Sequence, residues 1–543
     1  MPWTPHSLRR ATGALLLAAS VAGLAWTALA ARAAAPTSAS GRAALAAAPG
    51  PVPSLTHSGP PVPAPAPLAP ATTAPPGPPA QGSGVPGIPP RGGGMVPDTP
   101  GGSNAADDLS TDEPAPVSAS ARRIYESTRP RLLQVRTLLK DQDSQSSVGS
   151  GSLVGAGGLI LTNYHVVSQV ALQPQRYRLT YAMADGQKGP LALVAVDVVH
   201  DLALVRMQQV PASLDLAARG TLTFRDAAKP LAHGEGIFSL GNPLDVGFAV
   251  VEGTYNGLVE RRFLPQILFS GALSPGMSGG PVLDDHGKVV GVNVATMRNG
   301  ALVSFLVPAV YAQALIARGS TSPPMTGPID NEIGRQLLQH QADLTARFVK
   351  LPWREVNHAH YLVPVPQEEF MRCWGASSPA DTKGLEFERT MCAMDSDIFV
   401  SGVLQTGNLS VRHEVYDGRK LGTLRFNEQY ARSFANESMG HKTRDLTAPR
   451  CREDFVESGG GLPMRTVMCL RAYRKFKGLY DMSVLTTSVD ASTEGVQGRF
   501  DARGVSFANA LVLAQHYLQG FGWKPATPTA PATLPKQITQ ASR

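Results

Sequence analysis

Ser278 stands in the segment Ser274-Pro275-Gly276-Met277-Ser278-Gly279-Gly280-Pro281, framed by glycines and followed by an apolar run. A serine hydroxyl attacks a carbonyl only when a base takes its proton and an acid orients that base. Glycine on either side lets the chain turn tightly, with positive φ where needed. The same turn can aim backbone N–H groups at a developing oxyanion. A base and an acid stand upstream: His165 in Leu161-Thr162-Asn163-Tyr164-His165-Val166-Val167, and Asp201 in His200-Asp201-Leu202-Ala203-Leu204-Val205. The chemistry expected is acyl transfer. Ser278 attacks, His165 relays the proton to the leaving group, and Asp201 holds the imidazole tautomer. Asp197, four residues before Asp201 and inside the run Val194-Ala195-Val196-Asp197-Val198-Val199 that reads as a strand ending, is the alternative acid. His200, His233 and His286 read as loop residues, and Ser270 and Ser274 lack the glycine frame.

The order His, Asp, Ser requires an architecture that brings three distant segments to one cleft. Short apolar runs separated by turn residues predict β-barrels: Tyr177–Met183, a turn at Asp185-Gly186, Leu191–Val199, then Lys288–Ala295 after Asp284-Asp285-His286-Gly287. A helix is expected over Ala309–Arg318. Four segments in register, Gly149-Ser150-Gly151-Ser152-Leu153-Val154, the His165 and Asp201 segments, and Ser239-Leu240-Gly241-Asn242-Pro243 with the Ser278 turn, resemble the HtrA/Deg branch of trypsin-like serine proteases over about residues 120–320. The resemblance implies a mainly β fold with a chymotrypsin-like double six-stranded barrel, His and Asp coming from the first barrel and Ser from the second. It implies an oxyanion hole from the backbone N–H groups of Gly276 and Ser278, and an S1 pocket with Ala272 at its base. Ala272 carries no charge, so small or medium apolar P1 residues are expected. Polypeptide substrates are implied, unfolded or damaged envelope proteins among them, with no cofactor and with oligomers in view. Met277 departs from the family, where Asn is usual, and from digestive relatives, whose Asp pairs with a new N-terminus. The alternative reading is a binding or chaperone protein that keeps the fold without proteolysis.

The remaining chain divides by composition. Arg9-Arg10 precede an uncharged stretch over 11–31, with Ala28-Leu29-Ala30 resembling a signal cleavage site. Residues 1–33 are therefore expected to be an export signal, cleaved or retained as an inner-membrane anchor, placing the protein in the periplasm or cell envelope. Residues 34–118 hold 21 of the 46 prolines and no Phe, Tyr or Trp, so they cannot bury a core and read as an extended linker. Residues 119–322 are the expected protease domain and 323–524 an α+β domain of no recognised family, without a PDZ carboxylate loop. Residues 525–543 read the same way as the linker, as a disordered tail. The third segment is expected to hold a helix over 330–350, an antiparallel sheet within 360–500, and an amphipathic helix over Ala508–Phe521 with Leu511, Leu513, Ala514 and Tyr517 inward. All four cysteines, Cys373, Cys392, Cys451 and Cys469, fall there. An even count in an exported protein points to two disulfides. Three connectivities are possible, and the sequential pairs are preferred. Zinc is not expected, because Cys-x-x-Cys spacing is lacking. The formal charge of +7 is modest for 543 residues. The basic run Arg471–Lys477, interleaved with Tyr473 and Phe476, is read as a solvated strand face, and nucleic acid is not expected as a partner.

Overall fold

The computed structural model describes residues 117–296, 303–358, 360–435 and 437–523, which fall in one compact unit. The candidate anchor 11–31, the linker and the C-terminal tail lie outside the described residues. Among the described residues no helix is long and apolar enough to cross a membrane.

Helix α1 (Ala119–Thr128) is capped by Ser118, whose Oγ accepts the Ala121 N–H at 3.0 Å. Its Ala121 and Ile124 pack against Phe238, Leu240, Leu283 and Val289. Six antiparallel strands follow: β1 (Leu132–Leu139), β2 (Gln145–Gly155), β3 (Leu159–Thr162), β4 (Tyr177–Met183), β5 (Lys188–Asp197) and β6 (Leu202–Met207). They close into a barrel in the order β1-β2-β3-β6-β5-β4. Helix α2 (Tyr164–Leu172) sits between β3 and β4. Strands β7 (Gly236–Gly241), β8 (Ala249–Leu258), β9 (Ile267–Phe269), β10 (Pro281–Leu283), β11 (Val289–Thr296) and β12 (Ser304–Pro308) close a second barrel, β10-β11-β12-β9-β8-β7. Both barrels remove their own sheet edges by closure. Helix α3 (Ala309–Gly319) packs back on the first barrel, where Ala312 and Leu315 meet Leu202 and Leu204. This is the chymotrypsin-like double barrel that the motif order predicts.

The remainder is α+β. Helix α4 (Asp330–Phe348) precedes β13 (Arg354–His358) and β14 (Tyr361–Val365). A seven-stranded antiparallel sheet then combines β15 (Met371–Ser377), β16 (Glu386–Met394), β19 (Leu409–Asp417), β20 (Arg450–Glu457), β21 (Pro463–Ala472), β22 (Leu479–Ser488) and β23 (Glu494–Ser506), in the order β15-β16-β19-β23-β22-β21-β20. A separate hairpin, β17 (Ile398–Ser401) with β18 (Leu404–Thr406), and helix α5 (Thr423–Ala435) interrupt the alternation that suggested one continuous sheet. Helix α6 (Phe507–Gln519) buries Leu513, Ala514 and Tyr517; Leu511 is only half-buried, a correction to its expected core position. A short β24 (Gly522–Trp523) pairs with β14. Cys373 opposes Cys392 across β15 and β16, and Cys451 opposes Cys469 across β20 and β21; both pairs are disulfide-bonded.

Two apolar cores join this part to the barrels. Ile333 and Leu337 of α4, Ile398, Val400 and Leu404 of the hairpin, and Tyr473 and Phe476 share one cluster with the first-barrel core. The aromatics of the basic run are thus packed inward, and Arg471 pairs with Asp481 at 2.9 Å; Arg474 and Lys477 keep the solvated character expected of the whole run. On the other side Phe263, from the loop between β8 and β9, enters the second core, edge-on to His340 at 5.2 Å and to Phe370 at 5.3 Å.

Candidate active site

The glycines before α2 have a steric cause. A Cβ on Gly149 would lie 2.5 Å from Val166 Cγ2 and 2.9 Å from the Ser278 carbonyl oxygen, so only glycine lets β2 pass between α2 and the Ser278 turn. Beside it, Ser150 N–H donates to the Ser278 carbonyl at 2.7 Å.

Asp201 is one of five described non-glycine residues with positive φ, at 55°. That strain is held by the N-terminus of α2: its carbonyl accepts from Tyr164 N–H at 3.1 Å and from Asn163 Nδ2 at 2.8 Å. Its carboxylate takes His165 twice, Oδ1 from the backbone N–H at 2.8 Å and Oδ2 from ring Nδ1 at 2.6 Å. With Nδ1 committed as donor, Nε2 is left as the basic nitrogen of the neutral ring. Burial alone lowers the imidazole pKa, but the charge of Asp201 and its hydrogen bond outweigh it and hold His165 above the usual 6.5.

Asp197 makes a different pair. His200 Nδ1 lies 3.0 Å from its carboxylate, and Arg318 donates to it at 3.0 Å. Burial raises the Asp197 pKa, while His200 and Arg318 together bring it below the usual carboxylate range. His200 also stacks on Tyr311 at 3.7 Å, so it is a packed tether between β5 and α3 and not the plain loop residue expected. His233 and His286 are exposed or at the surface, away from these contacts.

Ser278 is carried by a turn that the second barrel laces down from below. Asn293, fully buried on β11, accepts the Gly279 N–H at 2.9 Å, donates its own N–H to Gly280 at 3.0 Å, and donates Nδ2 to the Met277 carbonyl at 3.2 Å. Met277 itself is buried among Ile237, Ile267, Phe269 and Leu306, so apolar packing secures the turn where a digestive relative uses an ion pair. Ser150, also fully buried, donates Oγ to the Gly276 carbonyl at 2.7 Å and accepts the Asn242 N–H at 2.8 Å. The Pro275 carbonyl accepts from Leu244 N–H at 2.7 Å. In a trans peptide C=O and N–H point oppositely, so this bond turns the Gly276 N–H away from the 242–248 loop. Among the described residues neither the Gly276 nor the Ser278 N–H has an acceptor, and Gly276 holds φ 96°. The Ser278 hydroxyl donates to the Val294 carbonyl at 3.4 Å and makes no hydrogen bond to His165 among the described residues. Ala272 lies exposed on the same loop, between buried Gly271 and Leu273.

Sequence reasoning missed Ser150 and Asn293. The only signal was the glycine on each side of Ser150. Among the described residues no group of three or more His, Cys, Asp or Glu side chains is placed to hold a metal ion.

Residues 149–292 match the model of the trypsin-like peptidase domain family. The chain is similar to the putative serine protease HhoA of Synechocystis sp., 29% identical over 187 residues, which covers 32% of this chain and 44% of the relative. It is similar to a probable periplasmic serine endoprotease DegP-like of Chlamydia trachomatis, 27% identical over 210 residues, 36% of this chain and 39% of the relative. It is also similar to mitochondrial serine protease HTRA2 of Drosophila ananassae, 28% identical over 187 residues, 33% and 41%. The chain therefore spans less than half the length of these relatives. Among solved structures, the Rv3671c protease from M. tuberculosis in its active form is 20% identical, covering 37% of this chain and 86% of that one with a TM-score of 0.32. The serine endoprotease from Yersinia pestis is 20% identical, covering 37% and 67% with a TM-score of 0.31. The barrel region has the chymotrypsin-like double-barrel fold and is similar over residues 149–292 to trypsin-like peptidase domains. Within that class it is HtrA/Deg-like.

Proposed function

We propose that the chain is an exported serine endopeptidase that hydrolyses peptide bonds through an acyl-enzyme on Ser278. The observation that carries the reading is the double hold of Asp201 on His165, which fixes the tautomer a general base needs. Ser278 Oγ rotates from the Val294 carbonyl toward His165 Nε2, attacks the scissile carbonyl and gives its proton to the imidazole. The Gly276 and Ser278 N–H groups receive the oxyanion, and the imidazolium then protonates the leaving amine. Catalytic hydrogen bonds commonly tighten only with substrate bound, so the resting rotamer of Ser278 is compatible with this course. Ala272 offers no partner for a basic P1 side chain, which favours small or medium apolar residues. The names of the relatives, periplasmic endoproteases among them, support an envelope location and polypeptide substrates such as unfolded envelope proteins.

One observation favours a second reading. The Ser278 hydroxyl is engaged by Val294 and not by His165, as in a latent or purely binding protein with this fold. Labelling with a fluorophosphonate separates the two. Modification of Ser278, lost in Ser278→Ala and His165→Ala, supports the peptidase. Folded protein that neither labels nor cleaves denatured casein supports the binder.

A further inference from the structure

The hairpin β17–β18 belongs to the C-terminal part, yet it packs on the helix that carries His165. Ile398, Val400 and Leu404 enter the first-barrel core, and the buried Tyr164 hydroxyl donates to the Val400 carbonyl at 3.0 Å. Side chains alternate along a strand, so Phe399 faces the other way from Ile398 and Val400. It is half-buried, and its ring meets the His165 imidazole edge to face, with centroids 6.1 Å apart at 77°. The Tyr164 ring lies on a second side of it, at 6.3 Å and 66°. Both contacts are within the range of favourable aromatic pairs, so the ring is held in place.

A substrate that brings its scissile carbonyl to Ser278 must bring its leaving nitrogen to His165 Nε2. The side chain next to the scissile residue then passes the imidazole, where Phe399 stands. We propose that Phe399 is a specificity-determining residue: the C-terminal part supplies an aromatic wall to the subsite beside the catalytic histidine, selecting small apolar side chains at the position adjoining P1. The proposal rests on the peptidase reading above. It gives the C-terminal part a defined task, supplying one wall of the substrate cleft.

The test is cleavage profiling of the full-length protein on a peptide library, read from P3 to P2′ by mass spectrometry, for wild type, Phe399→Ala, Phe399→Leu and Phe399→Trp. Trimming the wall is expected to raise cleavage of peptides with a large aromatic side chain, relative to alanine, by about tenfold at one position, P2 or P1′. Phe399→Trp shifts the same ratio the other way, and all other positions keep their preferences. If Phe399→Ala fails to fold, the leucine and tryptophan variants carry the comparison. A profile that is the same in all variants overturns the proposal. So does a fall of every substrate by one common factor, which is what a merely structural role gives. Absence of fluorophosphonate labelling in wild type overturns the peptidase reading itself, whereas labelling with an unmoved profile overturns only the role of Phe399.

Discussion

Gln336 closes the open end of the first barrel at Val198. Its Oε1 accepts the Val198 N–H at 2.8 Å while its Nε2 donates to the Val196 carbonyl at 2.9 Å, all three residues being buried. A helix of the C-terminal part thereby completes the backbone pairing of the strand that leads to Asp201. Replacing Gln336 by leucine leaves a buried donor and acceptor without their partner. The expected cost is about 2–6 kcal/mol of unfolding free energy, at about 1–3 kcal/mol for each of the two stranded groups. Urea denaturation measures it. A change below about 0.5 kcal/mol would show that the barrel end does not depend on α4.

The pKa of His165 is set by two opposed influences, burial lowering it and Asp201 raising it. Wild type should therefore titrate above 6.5, and the acid limb of activity should fall there, since the protonated ring cannot act as base. The same raised pKa means that His165 stabilises the fold at acid pH and loses that contribution as pH rises through its folded value. In Asp201→Asn only the lowering influence of burial remains, so the midpoint should drop below 6.5 while kcat falls by about 10⁴. Titration of the imidazole by NMR reads both midpoints. An Asp201→Asn midpoint at or above the wild-type value would refute the assignment of Asp201 as the controlling charge.

Gly276 tests the oxyanion turn without touching any side chain of the triad. Its φ is 96°, and a Cβ added there would lie 2.4 Å from the Asn242 carbonyl oxygen, so alanine has no room. Gly276→Ala should shift the turn and cost about 10²–10³ in kcat, the usual loss for one oxyanion donor. The fold should survive with a loss of about 1–3 kcal/mol, typical of one strained backbone position. Steady-state kinetics beside thermal unfolding separates the two; unchanged kcat with normal folding would remove Gly276 from the mechanism.

Part of this site is legible in the chain itself. Ser278, His165 and Asp201 stand in local patterns whose chemistry is visible residue by residue. The residues that hold them are not. Ser150 and Asn293 are small polar residues on strands, and only their contacts, Ser150 from across the barrel interface and Asn293 from within the second barrel, reveal that they lace the Gly276 and Ser278 turn. The C-terminal alternation predicts an antiparallel sheet, but Ile398-Phe399-Val400 has the same alternation and forms a separate hairpin on α2. Periodicity reports which residues turn inward, not which surface they meet, so neither Phe399 beside His165 nor Phe263 beside His340 was within reach.

His340 and Glu368 should give the fold two opposed pH dependences. Burial lowers the His340 pKa from 6.5 to about 4, with smaller influences from His200 and Asp343, and raises that of Glu368 from 4.5 to about 7 against the hydrogen bonds it accepts. Between pH 4 and 6.5 the unfolded chain binds the His340 proton and the folded one does not, so this residue destabilises increasingly as pH falls, by up to about 3 kcal/mol. Glu368 acts oppositely: its stabilisation is present below pH 4.5 and lost as pH rises through 7. Relative to wild type, His340→Leu should be more stable at pH 4.5 than at pH 7, and Glu368→Gln more stable at pH 7 than at pH 4.5. Tm differences at the two pH values measure both, and equal differences would show that neither group is buried in its unfavourable form.

The disulfides test whether the barrels and the C-terminal part unfold together. Each fastens an edge strand of the seven-stranded sheet to its inner neighbour, Cys373–Cys392 at the β15 edge and Cys451–Cys469 at the β20 edge. Their sequence separations of 19 and 18 residues imply about 3 kcal/mol each from restriction of the unfolded chain. Both lie within the C-terminal part, so independent folding would leave the active site intact when both are removed. The structure argues otherwise, because Gln336, Val400 and Phe263 each lie in a core or hydrogen bond shared by both parts. Replacing either pair by serines should lower the denaturation midpoint and carry fluorophosphonate labelling of Ser278 down with it, at one common midpoint. Two separated midpoints, with labelling surviving loss of the C-terminal tertiary signal, would show that the shared cores do not couple them.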